Sequence, residues 1–246
     1  MTQRIVLRNQ VLQIIFLSLG LSLLVAQPAS AELAANAAVT SNYVFRGESQ
    51  SDGKPALQGG IDWNHEQGFY AGAWGSTVKE TCDDRPAGSQ CGSSNPQGSG
   101  IEVDLYGGWA YQFSDNFGID LGYILYEYSD SDFSSGAREW YAGINFGFFN
   151  GTFYSGDDQN ANPVDYTYID LGVDLELQED VLLSFHYGRK DPDTGKAVND
   201  VRAEVAKEIL GFDMGVAVTY EDGTDNLTTS KDTEFYVTIK KVFELQ

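Results

Sequence analysis

The sequence has few basic residues, few histidines and cysteines, and no long apolar stretch beyond its beginning. Its 246 residues include 15 lysines and arginines against 36 aspartates and glutamates, which gives a formal net charge of −21. This balance argues against nucleic-acid binding, because phosphates need basic side chains to neutralise them. After residue 31 no apolar run approaches the roughly 20 residues of a membrane-spanning helix. A helical membrane protein is therefore excluded.

Histidine occurs only at His65 and His186. A hydrolytic triad needs a histidine beside a nucleophile, together with a third group that orients it. Ser184 shares a strand face with His186, but such a spacing arises far more often by coincidence than by catalysis. We therefore predict that the chain is not an enzyme and has no catalytic residue. We also predict no cofactor and no metal site.

The two cysteines, Cys82 and Cys91, lie in a segment rich in glycine, serine and aspartate. In an oxidising compartment such a close pair predicts one local disulfide. Metal binding is the alternative, although two thiols without a nearby histidine form an incomplete zinc site.

The N-terminus has the three parts of a secretory signal peptide. Arg4 and Arg8 provide a basic start, an apolar run covers residues 11–25, and small residues precede Ala31. We predict a signal peptide over residues 1–31 with cleavage after Ala31. An uncleaved anchor is the alternative, but the run is short for a spanning helix.

Beyond the signal, apolar residues recur at every second position, which is the period of β-strands. In residues 101–113 large apolar side chains alternate with charged or small ones, and segments 117–128, 167–177 and 212–221 repeat the pattern. Each predicted strand thus has one apolar and one polar surface. A soluble β-sandwich would share this property.

The lengths of the connections distinguish a barrel from a sandwich. Twelve strand segments are predicted, at residues 36–46, 56–65, 68–79, 100–113, 116–128, 138–147, 151–156, 164–177, 180–189, 200–209, 211–221 and 232–243. Short turns alternate with longer polar loops along this series. Bacterial outer-membrane barrels combine an even strand number with short periplasmic turns and long external loops.

We therefore predict an all-β fold, a transmembrane antiparallel up-and-down barrel over residues 32–246. The predicted location is the outer membrane of a Gram-negative bacterium, with both termini in the periplasm. Aromatic residues near the segment ends, among them Trp63, Phe69, Phe113 and Phe243, would form interfacial girdles. The expected partners are outer-membrane lipid and lipopolysaccharide, and the machinery that inserts barrels.

The alternation also places charged side chains on the inner surface of the barrel. The predicted lumen-lining charges are Arg46, Asp62, Glu102, Asp104, Asp120, Asp170, Asp174, Glu176, Arg202 and Glu204. Carboxylates dominate this set and would attract cations. We predict a channel for passive diffusion of small solutes with a cation preference. A non-conducting structural or adhesive barrel is the alternative, and an outer-membrane hydrolase is a more distant one.

Three blocks carry a resemblance to a known family. SNYVFRGESQSDGKPALQGGIDW at residues 41–63 and GFYAGAW at 68–74 resemble the opening of the TorF porin family, and IEVDLYGG at 101–108 resembles that family's next block. The resemblance implies an outer-membrane location and a porin role, and it implies no catalytic residues.

Overall fold

A computed structural model describes residues 32–79, 99–129, 136–158, 164–177, 181–222 and 232–245. Its strands, in chain order, are β1 Glu32–Thr40, β2 Val44–Phe45, β3 Glu48–Ser49, β4 Ala56–Asn64, β5 Phe69–Lys79, β6 Ser99–Ser114, β7 Phe117–Tyr128, β8 Ala137–Phe146, β9 Phe149–Asp158, β10 Asp165–Leu177, β11 Val181–Pro192, β12 Val198–Ile209, β13 Phe212–Glu221 and β14 Asp232–Leu245. No helix long and apolar enough to cross a membrane occurs within these ranges.

Twelve of the strands form one closed antiparallel barrel. Consecutive strands from β4 to β14 pair with one another, and β1 closes the barrel by pairing with both β4 and β14. At the closure, Leu33 lies opposite Leu245 and Thr40 lies opposite Thr238. Closure leaves no strand edge unpaired. The predicted twelve-stranded up-and-down barrel is therefore confirmed.

The connections between barrel strands alternate in length, as predicted. Short connections at residues 65–68, 115–116, 147–148 and 210–211 share one end of the barrel, called here the short-turn end, and Leu177 and Val181 end their strands there too. The longer connections that the structure describes in full, residues 41–55 and 193–197, lie at the opposite end, called the long-loop end. The segment predicted at 151–156 is the full strand β9, which pairs with β8 and β10.

The outer surface of the barrel is apolar. Leu57, Leu105, Ile144, Leu171 and Val216 point outward, and each exposes between 47% and 65% of its surface. Exposed aromatic rings gather towards the short-turn end, where Phe113 packs against both Tyr111 and Phe117. A continuous apolar outer band with polar residues inside inverts the pattern of a water-soluble barrel.

The connection between β1 and β4, residues 41–55, folds into the barrel and is called here the inward segment. The predicted first strand ran to residue 46, whereas β1 ends at Thr40, where the Thr40 hydroxyl donates to the carbonyl of Asn42 at 2.8 Å. Strands β2 and β3 then form a small hairpin around Arg46 and Gly47. Both residues have positive φ angles, 49° and 88°, as a two-residue type I′ turn requires.

The Asn42 side chain holds the base of this hairpin. Its Oδ1 accepts from Ser49 Oγ at 2.6 Å and from Ser51 Oγ at 3.0 Å. Its Nδ2 donates to Glu234 Oε2 on β14 at 2.9 Å. The amide of Asn42 thus joins the two ends of the hairpin to each other and also anchors them to the barrel wall.

Candidate functional site

The tip of the inward segment makes a buried ion pair with the barrel wall. Arg46 Nη1 and Nη2 donate to Glu139 Oε1 and Oε2 on β8, at 2.6 and 3.0 Å. The Arg46 side chain is 11% exposed and that of Glu139 is 0% exposed. Tyr126 and Tyr166 each donate to the same carboxylate at 2.8 Å. Glu139 therefore accepts four hydrogen bonds and binds a single cationic group.

Aromatic rings surround the same guanidinium. Arg46 Cζ lies 4.0 Å from the ring centroid of Tyr168, 4.7 Å from that of Phe45 and 5.0 Å from that of Tyr154. A guanidinium over an aromatic face gains cation–π stabilisation, which is larger when water is excluded. Arg46 is thus held by charge and by packing together.

The inward segment reaches across the lumen from one wall to the other. On one side Tyr43 packs edge-on against Trp74 of β5, with ring centroids 5.5 Å apart. On the other side Val44 packs with Ala217 and Tyr236 of β13 and β14. A Cβ atom on Gly47 would lie 2.9 Å from Cβ of both Asp200 and Glu221. The segment therefore narrows the bore at this level.

The lumen wall formed by β4 to β8 is a network of carboxylates and tyrosines. Tyr106 donates to Asp62, and Tyr70 donates to Asp120 at 2.6 Å. Tyr70 also bonds the hydroxyl of Tyr141. Phenol hydroxyls thus donate to both carboxylates, and the buried Lys240 of β14 is the base whose charge acts on Asp62.

The wall formed by β10 to β12 holds the lumen histidine, His186, between two carboxylates, an arrangement called here the His186 clamp. His186 Nδ1 lies 2.9 Å from Asp170 Oδ1, and His186 Nε2 lies 2.7 Å from Asp200 Oδ1. The Tyr168 hydroxyl donates to Asp200 Oδ2 at 3.0 Å. Ser184 donates instead to Asp174, so serine and histidine engage different carboxylates.

The structure places the predicted lumen charges as follows. Glu102, Asp104, Asp120 and Glu204 are buried on the inner face, and Asp62, Asp170, Asp174 and Arg202 are partly buried there. Glu176 is exposed near the short-turn end of β10. Arg46 lies in the lumen on the inward segment and not on a strand, because the chain leaves the barrel wall after Thr40.

Sequence reasoning missed Asp200 and the ring of inward tyrosines that bond the carboxylates. Asp200 stands at the start of a predicted strand, at a position whose alternation matches Arg202 and Glu204. The tyrosines lie on the polar face of their strands. Hydropathy gives no weight to the tyrosine hydroxyl as a hydrogen-bond donor, so it does not reveal them as partners of the carboxylates. Cys82 and Cys91, and the predicted signal peptide, lie outside the described residues.

A small cavity remains beside the inward segment. Its volume is about 20 Å³, and its wall includes Arg46, His186, Arg202 and Tyr236. This is room for about one water molecule. Within the described ranges, no three or more side chains of histidine, cysteine, aspartate or glutamate are grouped to hold a metal ion.

The fold and the lumen together define a closed twelve-stranded antiparallel barrel with a segment folded into its bore. The chain belongs to the family described as "Bacterial protein of unknown function (Gcw_chp)", whose family model matches residues 25–246. The resemblance to the TorF family stays a prediction, since the matching model carries a different description. The comparison with curated protein sequences finds no match.

Solved porin structures share the fold. The KdgM porin is 9% identical and superposes with a TM-score of 0.55 over 86% of this chain and 99% of that chain. The KdgM porin in complex with disordered oligogalacturonate gives 0.56 at 10% identity, over 86% and 99%. The NanC porin gives 0.53 at 11% identity, over 87% and 100%. At such identities the likeness establishes the fold alone.

Proposed function

We propose that this chain is an outer-membrane channel that passes small solutes with a preference for cations. The barrel is placed in the outer membrane of a Gram-negative bacterium, with both termini in the periplasm. The apolar outer band then faces lipid, and the long-loop end faces lipopolysaccharide. The inward segment enters the bore from that external end. Insertion by the barrel-assembly machinery belongs to the same proposal, and nucleic acid and catalysis have no part in it.

The excess of carboxylates on the lumen surface carries the proposal. Asp62 on β4 and Asp120 on β7 accept hydrogen bonds from the neutral hydroxyls of Tyr106 and Tyr70. Of the basic groups facing the lumen, Arg46 is neutralised by Glu139, Arg202 lies 3.6 Å from Glu204, and Lys240 is buried where it interacts with the charges of Asp213 and Asp62. Carboxylates still outnumber these bases on the inner surface. A bore of this kind concentrates cations and repels anions.

The same charge distribution argues against a ligand of the kind found with one structural neighbour. The KdgM porin has been solved with oligogalacturonate, a polymer that carries a carboxylate on each sugar. An acidic lumen opposes the entry of such a polyanion. The inward segment also narrows the bore, which favours small ions over polymers.

The test is the reversal potential of the purified protein in a planar bilayer under a potassium chloride gradient. We expect cation selectivity, and we expect the variant Asp62→Asn/Asp120→Asn to be less selective because two lumen charges are removed. Asp115→Asn removes one charge from an exposed short turn and serves as the control. Anion selectivity, or equal loss in the control, would refute the proposal.

A non-conducting barrel is the second candidate, and the wall-to-wall contacts of the inward segment favour it. In that case the lumen charges and tyrosines act as a filled core. Liposomes carrying the protein distinguish the two, since a filled barrel admits no small sugars or ions.

A further inference from the structure

Two inward carboxylates on β6 are buried with fewer hydrogen-bond donors than Glu139 and Asp174 have. Glu102 is 1% exposed and Asp104 is 0% exposed. Within the described residues, both Oδ atoms of Asp104 and Oε2 of Glu102 lack a hydrogen-bond partner. The amide oxygen Oε1 of Gln58, on a side chain 7% exposed, also lacks one. Four buried acceptor atoms thus lie along one wall.

The register of the sheet places these side chains on one inner face of neighbouring strands. Gln58 pairs with Ser76, and Ser76 pairs with Glu102, so the three residues share one row across β4, β5 and β6. Asp104 lies two residues further along the same face of β6, opposite Trp74. The carboxyl groups of Glu102 and Asp104 are near enough to interact directly.

The charge of this pair has no basic counterpart among the ion pairs of the described residues. Arg46, the basic tip of the inward segment, is bound to Glu139. Two adjacent buried carboxylates that lack a counter-charge are strongly unfavourable, because burial removes their hydration and they repel each other. Either a shared proton or a bound cation must neutralise the pair.

The inward segment covers Glu102 on the lumen side. Tyr43 donates to Glu102 Oε1 at 3.3 Å, and its ring packs on Trp74. Tyr43 is itself 2% exposed. A ligand between the carboxylates would therefore lie between the barrel wall and the inward segment, away from bulk water.

We propose that Glu102 and Asp104 form a binding site for one divalent cation of the calcium type, beneath the inward segment. Two carboxylates balance two positive charges, and the amide oxygen of Gln58 adds a neutral ligand of the same hard type. Calcium accepts irregular sets of oxygen ligands, whereas magnesium demands octahedral geometry and keeps its water. This proposal rests on the geometry of the lumen and does not require the barrel to conduct. A bound cation stabilises the inward segment in its position inside the bore.

The experiment measures calcium binding and thermal unfolding of the full-length mature barrel in detergent, at physiological potassium chloride. Wild type is compared with Glu102→Gln/Asp104→Asn, which preserves shape and removes both charges. Asp174→Asn is the matched control, because Asp174 is a lumen carboxylate already bonded by Asn150 and Ser184. Calcium is the only ligand tested, and excess EGTA should reverse both the binding and the gain in thermal stability.

We expect wild type and the Asp174 control to bind one calcium ion tightly and to gain thermal stability as calcium rises. The double variant should lose both effects while remaining folded. Equal binding by the double variant would place the ion elsewhere and overturn the proposal. Absence of binding in all three proteins would mean that the pair shares a proton, and would overturn it as well. A failure of conductance with calcium binding retained would count against the channel alone.

Discussion

Replacing Arg46 by alanine tests whether the inward segment is held by its ion pair with Glu139. The change removes two charge-assisted hydrogen bonds of 2.6 and 3.0 Å and the contact with the Tyr168 ring. It leaves Glu139 buried with only its two tyrosine donors. Removing one partner of a buried ion pair costs about 3–5 kcal/mol, since the remaining charge is uncompensated.

This loss of free energy predicts how far the equilibrium shifts away from the state in which the inward segment lies inside the bore. At 1.4 kcal/mol for each factor of ten, a loss of about 3–5 kcal/mol weakens seating by about a hundredfold to a few thousandfold. The segment then leaves the bore and lets water reach Glu139. We expect a larger single-channel conductance together with a lower urea midpoint. In the double variant Arg46→Ala/Glu139→Gln, the midpoint should recover in part, while the conductance stays high.

Arg138→Ala is the matched control for this experiment. Arg138 pairs with Asp157 at 2.7 and 3.0 Å, but its side chain is 51% exposed. An exposed pair contributes about 0–1 kcal/mol. If Arg46→Ala changes neither conductance nor midpoint, or changes them no more than Arg138→Ala does, the ion pair does not hold the segment.

Three further substitutions test other parts of the structure. Gly47→Ala should displace the inward segment from the bore and lower the melting temperature, because φ of Gly47 is 88° and the new Cβ would contact β12 and β13. Gly53→Ala is its control: the new Cβ has no atom within 4 Å, so the change should cost only about 1 kcal/mol of backbone strain. His186→Ala leaves two carboxylates facing each other and should cost about 3–5 kcal/mol, so an unchanged urea midpoint would contradict the clamp. Leu171→Arg puts a charge on the outer band and should cost about 2–4 kcal/mol in lipid vesicles. Leu210→Arg is its control: Leu210 is 95% exposed in a short turn, so the change should leave the stability in lipid vesicles unaltered.

The strands were predictable because their two faces differ along almost the whole chain. A period of two is a local signal, and twelve repeats of it with alternating connections leave few other folds. β9 was the hardest to place, because the glycine and asparagine near its start weaken the alternation. Its full extent depends on pairing with β8 and β10, which the local sequence does not encode.

The inward segment was not predictable, because its local pattern continues that of β1. Tyr43, Val44 and Phe45 are aromatic or β-branched residues of high strand propensity, and only the turn at Gly47 opposes a continuous strand. The segment is held inside by Glu139, a residue far along the chain. The His186 clamp likewise requires the register that joins three strands. Such contacts are non-local, and a single sequence gives no register.

The closure of β1 on β14 constrains how the chain can assemble. Leu33 and Leu245 lie near opposite ends of the chain, so their pairing belongs to the slowest class of contacts to form. Until they pair, both strands present open edges that can recruit other chains. The inward segment follows β1 directly, so it must be captured inside the bore by the same event that seals the wall. A chain that lacks its last strand would expose two edges and leave the segment without its β14 anchor, and we expect it to aggregate.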